Sequence, residues 1–238
     1  MNIDIWSDVA CPWCWIGKRR LDRALAAFPH RDEVTVTWHS YQLDPTLPDH
    51  DDRSEAQYLA ETKGMPVEQV RAMVGHVAEQ GAGEGLTYDF DSLVVANSLR
   101  AHQVIQLARE SGDTAAVEHL EESLFAAHFE HGEDIGDADT LVRLATEAGL
   151  DTSEVLSELT YGSRIAAVEE DVRKAASLGL NSVPTFVLDM RWAVPGAQPT
   201  EVFTRALEQA WAASHPGTPS FLSVDGAQDA EACGPKGC

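Results

Sequence analysis

The chain has 238 residues, of which 17 are basic and 39 acidic, giving a formal net charge of -22, and 44% are hydrophobic. That length and composition allow a substantial core, built as one elaborated domain or two small ones, and do not describe a disordered chain. The acidic excess argues against a nucleic-acid partner and against adhesion to anionic membranes, and no apolar run approaches the roughly 20 residues that span a bilayer.

The chain begins almost directly in a strand, Ile3 to Trp6, without the basic and apolar segments of a secretory signal, so a cytoplasmic location is expected. Cys11-Pro12-Trp13-Cys14 follows and opens a helix whose apolar stripe is Ile16, Leu21, Ala24, Leu25 and Phe28. Val34, Val36 and Trp38 alternate with threonines as a second strand, which a helical crossover makes parallel to the first. After a Pro/Asp-rich loop over 44–50, a long helical region is expected. Ser54 and Gln57 form a capping box for a helix ending near Gly64, and a second runs from Pro66 to Gly81. Further helices are expected over 96–110, from Val117 to Gly132, from Asp137 to Gly149, and from Ser163 to Gly179. Strand character returns at Val183 to Leu188, and Trp192 to Val194 follows as the second arm of a hairpin. Thr200 to Ala213 reads as a last helix, and beyond Pro216 the composition turns to Pro, Gly, Ser and Asp. The two ends of the chain thus make one small α/β sheet domain, 1–45 plus 163–214. Residues 46–162 are a helical insertion covering it, and 215–238 are a tail ending in Cys233-x4-Cys238.

Two cysteines three positions apart at a strand-to-helix junction can hold a metal, close a static bridge, or cycle between dithiol and disulfide. A helix N-terminus offers unpaired N–H groups and the positive end of the dipole, which stabilise the thiolate that attacks disulfides. In a helix-opening pair the first sulfur is the exposed one and the second lies under the turn. Cys11 is therefore expected as nucleophile and Cys14 as the resolving thiol that displaces a mixed disulfide. Pro12 adds no donor, and Trp13 sets a large apolar surface beside the sulfur. A zinc site would recruit two more ligands at close spacing, whereas the other cysteines stand at the far end of the chain. Pro184 removes a ladder donor from the strand it opens. A cis bond there would turn the chain and present the Val183 backbone outward, and an ordinary trans proline is the alternative.

With the Cys-Pro-Trp-Cys stretch after the first strand, a helical insertion, and Val183-Pro184-Thr185 before the third, residues 1–213 resemble the DsbA-type thioredoxin-fold oxidoreductases. They are most similar to the cytoplasmic, FrnE-like branch, whose likeness extends to LFAAHFEHGEDI over 124–135. The resemblance implies a thioredoxin-like fold with a large α-helical insertion. It implies a cis Val183-Pro184 bond packed against the Cys11–Cys14 disulfide, and a Val183 backbone that pairs with an extended substrate. It further implies a thiol–disulfide oxidoreductase or isomerase acting on protein or peptide thiols and disulfides, with no metal and no cofactor beyond its redox-active disulfide. Cys233 and Cys238 resemble an additional motif of the branch and would be a second redox pair in relay with the first. A related branch of glutathione-dependent isomerases and transferases, which includes 2-hydroxychromene-2-carboxylate isomerase, carries serine where this chain has Cys11. The second reading is therefore an isomerase with glutathione as co-substrate, acting in polyketide metabolism. The third is a zinc-binding module held by Cys11, Cys14, Cys233 and Cys238.

Asp8 is expected as a cap or solvated loop carboxylate, with a proton relay to Cys14 as its functional alternative. His119, His128 and His131, with Glu118, Glu121, Glu122 and Glu130, lack a metal-ligand spacing and read as a solvated helix face. Gly81, Gly83 and Gly85 read as a flexible connector. Trp6 belongs to the core.

Overall fold

The computed structural model describes residues 1–215. Its main sheet has the strand order β2-β1-β5-β6, with β1 over Asn2–Ser7, β2 over Thr35–Ser40, β5 over Thr185–Leu188 and β6 over Trp192–Pro195. β1 runs parallel to β2, with Ile3 opposite Val36 and Ile5 opposite Trp38. On its other side β1 runs antiparallel to β5, with Ile5 opposite Phe186. The crossover between β1 and β2 is the helix α1, Pro12–Ala27.

Ile3, Ile5, Phe186, Leu188 and Val194 are fully or nearly fully buried, as period-2 alternation demands of a sheet covered by helices. Helix α9, Thr200–Ser214, packs beside α1 and drives Phe203 edge-on against Phe186, with ring centroids 4.7 Å apart. α1 approaches the sheet closely because Gly17 has no side chain. A Cβ there would stand 3.0 Å from both the Phe186 ring and the Pro184 ring. Gly17→Val is therefore expected to cost about 1–3 kcal/mol through overpacking, read as a lowered midpoint of chemical unfolding, with a smaller loss for Gly17→Ala.

Between β2 and β5 the chain forms β3 (Asp51–Ser54), α2 (Glu55–Lys63), α3 (Val67–Ala82), β4 (Val94–Val95) and α4 (Leu99–Glu110), followed by α5 (Thr114–Phe129), α6 (Ala138–Glu147), α7 (Thr152–Tyr161) and α8 (Ile165–Ser177). The Ser54–Gln57 capping box is present, and Asp137 caps α6 through the Thr140 N–H. Three features differ from the sequence expectation. β3 and β4 form a two-stranded ribbon, although β3 is wholly polar and β4 only two residues long. α7 fills the interval after Gly149, capped by Asp151 and stopped by Gly162 in the left-handed region. The N-cap of α8 is Arg164 rather than Ser163.

The join between the sheet and the insertion is a buried polar hub. The Asp171 carboxylate on α8 accepts the Ser40 N–H at 3.0 Å, Gln106 Nε2 at 2.6 Å and Arg109 Nη1 at 2.7 Å. His39 bridges Asp171 and Asp4, at 2.8 and 2.7 Å. Trp6 is fully buried, stacks on His39 and donates its indole N–H to the Asp171 carbonyl. Burial opposes ionisation of Asp171, but His39, the Ser40 N–H and Arg109 outweigh it and take its pKa down to about 2. α8 and α4 are thus tied to the edge strand β2 by charge-assisted bonds.

Candidate active site

Cys11 occupies the N-cap of α1, with Pro12 at the first helical position. Its N–H donates to the Asp8 carbonyl, and the Cys14 N–H donates to the Cys11 carbonyl, both at 3.0 Å. This tight turn puts both sulfurs at one helix end, and both cysteines are free thiols. The Cys11 sulfur faces the Val183 carbonyl at 3.8 Å, and the Val183–Pro184 bond is cis. The structure therefore brings Cys11, Cys14, Trp13, Val183 and Pro184 together, although Cys11 and Val183 are 172 residues apart. Cys233 and Cys238 lie outside the described residues.

The two cysteines are not equivalent. Cys11 lines a cavity of about 600 Å³, shared with Trp13 and Val183. Both are buried, Cys11 at 4% and Cys14 at 1% exposure, so the first sulfur is not exposed as the sequence suggests, and the difference is that Cys11 lines the cavity and Cys14 does not. Burial and the neighbouring Cys11 push the Cys14 thiol well up, only partly offset by donors from Ser7 and the Asp8 backbone. Tyr88 donates its hydroxyl to the Pro12 carbonyl at 2.7 Å, pinning the turn from the insertion. Burial raises the Tyr88 pKa and keeps it a donor. Gly81 makes room for this tyrosine: a Cβ there would come within 2.7 Å of its ring. Gly81 is thus a packing residue inside α3, not part of a flexible connector.

Asp8 also departs from expectation, being 1% exposed and neither solvated nor capping α1. Its carboxylate accepts the Ala10 and Leu43 N–H groups at 3.1 and 2.7 Å, and His102 Nε2 lies at 3.3 Å. Burial opposes its ionisation, but His102 and the two backbone donors hold its pKa below the usual value. The histidine and glutamate group on and just after α5 divides in the same way. Glu118, His119 and His131 are exposed, as a solvated face requires, but Glu121 and His128 are buried. Burial raises Glu121 to about 7 and lowers His128 to about 4. Glu122 instead ties α5 to α1, accepting from the Trp15 indole at 3.0 Å and pairing with Arg19 and Lys18. His102 and Tyr88 are site neighbours that sequence reading misses, because each meets a partner far along the chain, Asp8 and the Pro12 carbonyl, and no local pattern marks them.

The family model for the DSBA-like thioredoxin domain matches residues 2–208. YwbO of Bacillus subtilis is 28% identical over 225 residues, covering 87% of this chain and 96% of that one. Among solved structures, the probable DsbA oxidoreductase SCO1869 from Streptomyces coelicolor is 42% identical with a TM-score of 0.84, covering 100% of this chain and 98% of that one. The cytosolic disulfide reductase DsbM from Pseudomonas aeruginosa shares the fold at 19% identity and a TM-score of 0.59, over 88% and 98% of the two chains. The match runs from the first strand into the last helix and takes in the sheet, the two-cysteine turn and everything inserted between them: the chain belongs to the DSBA-like thioredoxin domain family.

Proposed function

We propose that Cys11 and Cys14 are a redox couple that exchanges disulfides with thiol or disulfide substrates. The observation that carries this is the asymmetry of the pair at one helix start: Cys11 lines the cavity, while Cys14 is sealed beneath it with its thiol pushed up. In the reducing direction the Cys11 thiolate attacks one sulfur of a substrate disulfide and releases the other half as a thiolate. Cys14 gives up its proton and attacks Cys11, closing the Cys11–Cys14 disulfide and releasing the second half. A substrate dithiol runs the same steps backwards. Asp8 positions the turn through Ala10 and Leu43, and a proton relay from Cys14 would pass to His102 beside it.

The expected protein or peptide partner would reach Cys11 as an extended segment laid along Val183. The cytosolic setting of the Pseudomonas reductase suits a chain whose cysteines serve chemistry rather than cross-linking, and the FrnE-like placement is part of this reading. Among the described residues no helix is long and apolar enough to cross a membrane.

The test is trapping. Cys14→Ala, offered a disulfide-bonded peptide and a low-mass disulfide, is expected to keep one half bound to Cys11, seen by intact mass and located by digestion. The parent chain is expected to release both halves. A Cys14→Ala protein that completes the exchange like the parent would remove Cys14 from the mechanism. One that acquires no adduct at Cys11 would remove Cys11.

A further inference from the structure

The exchange proposed above leaves the substrate open, and the surroundings of Cys11 narrow it. Cys11 is only 4% exposed and belongs to the wall of the cavity. A sulfur set into a cavity wall is reached more readily by a small molecule than by a folded protein surface. The volume of about 600 Å³ lies within the range that encloses a small ligand. Much of the lining comes from the insertion, and its apolar part includes Tyr58, Met73, Val77, Phe90 and Leu93.

The charged groups on the same walls point one way. Asp8, Asp44 and Glu55 face Lys63 alone among the ammonium and guanidinium groups. Asp44 is held ionised by Thr46 and Tyr58, while burial raises Glu55 to about 7. His128, which also lines the cavity, is kept neutral near neutral pH by burial. Its Nδ1 is buried and has no hydrogen-bond partner among the described residues. The cavity therefore offers an apolar body and a lining in which Asp8, Asp44 and Glu55 outnumber Lys63. An acidic peptide thiol such as glutathione, with two carboxylates, meets repulsion there.

We infer that the substrate exchanged at Cys11 is a low-molecular-weight disulfide or dithiol with an apolar body and no acidic group, bound in the cavity between the Cys11 turn and the helical insertion. This rests on the thiol–disulfide exchange reading. For a disulfide R–S–S–R the reaction takes two electrons from the Cys11–Cys14 dithiol. The S–S bond of the substrate breaks, the Cys11–Cys14 bond forms, and the two thiol protons leave on two R–SH. A second dithiol, dithiothreitol in the assay, restores the enzyme.

The experiment measures the rate at which the fully reduced chain is oxidised by three disulfides: neutral aromatic 4,4′-dithiodipyridine, glutathione disulfide and a disulfide-bonded peptide. Each rate is divided by that of the same disulfide with free dithiothreitol, which removes intrinsic reactivity. Formation of the Cys11–Cys14 bond is followed by mass after digestion. The expected result is a saturable aromatic rate whose normalised value exceeds that of glutathione disulfide at least tenfold. Met73→Trp, which fills the cavity from a half-buried position, should lower the aromatic rate at least tenfold. Glu55→Gln should raise the glutathione disulfide rate relative to the aromatic one. An equal or higher normalised rate for glutathione disulfide or the peptide overturns the substrate class and leaves the exchange standing. Unchanged aromatic rates in a folded Met73→Trp overturn the cavity as the site. Failure of Cys11 to react with any of the three overturns the exchange reading itself.

Discussion

Cys11→Ser is expected to lower disulfide reduction by at least about a hundredfold, to the uncatalysed background, because an alcohol at neutral pH supplies no anion comparable to a thiolate. Cys14 cannot substitute. It is 1% exposed, and its thiol is pushed well up by burial and by the neighbouring sulfur. The substitution also separates chemistry from folding. Cys11 is an N-cap without a side-chain cap bond, and serine is among the best N-cap residues, so the variant should be as stable as the parent or more stable by up to about 1 kcal/mol. Turnover of a low-mass disulfide measured beside a thermal melt checks both halves. Retained turnover in Cys11→Ser would end the assignment of the nucleophile. A lost melt would show that Cys11 holds the fold.

The second large effect is one of stability. Asp171→Ala is expected to cost about 3–5 kcal/mol, the range for removing one member of a buried ion pair, because it leaves His39, Gln106, Arg109 and the Ser40 N–H without their shared acceptor. In a chain of this size that is on the order of 10 °C in the melting midpoint. Asp171→Asn, which keeps the shape and one acceptor, should lose less. The carboxyl titrates at about 2 in the fold against a reference of 3.8, so it binds its proton more readily when unfolded. Its contribution, roughly 2–3 kcal/mol from that difference, is complete above about pH 4 and fades as the pH falls toward 2. The parent should therefore lose stability over that interval, and the Asp171→Ala loss should shrink there in parallel. Equal losses at pH 7 and pH 3 would show that the hub does not act through its charge.

The sheet and the thiol turn are legible in the sequence because their signals are local. Ile3 and Ile5 alternate, Pro12 fits a first helical turn, and Ser54 with Gln57, or Asp137 alone, announces a helix start. α7 is harder to see, since Val155 and Glu158 are the residues it buries most, Leu159 is half-buried, and the rest of it is polar or exposed. The ribbon of β3 and β4 is hidden for a different reason. Asp51–Ser54 is held as a strand by its partner and by the Asp51–Arg53 pair, not by any strand propensity. The buried polar groups are the least legible. Asp8 looks like any loop carboxylate until His102, 94 residues onward, is set beside it. Glu121 and Glu118 share a helix and a residue type, yet only Glu121 turns inward. Composition carries no record of which face a tertiary contact will cover.

β1 lies in the middle of the sheet, between its parallel partner β2 and its antiparallel partner β5. That placement has a consequence for biosynthesis. The two thiols leave the ribosome early, but Val183, which faces Cys11, follows 172 residues later. At about 5–20 residues per second this delay is roughly 10–30 s. The cavity walls built from α3 and the segment leading to β4 also arrive after the cysteines. Until those segments emerge and fold, the nascent chain carries its pair of thiols without the completed sheet or the cavity to shelter them. The redox state around the ribosome therefore sets how much of the newly made chain reaches its final form with both thiols intact.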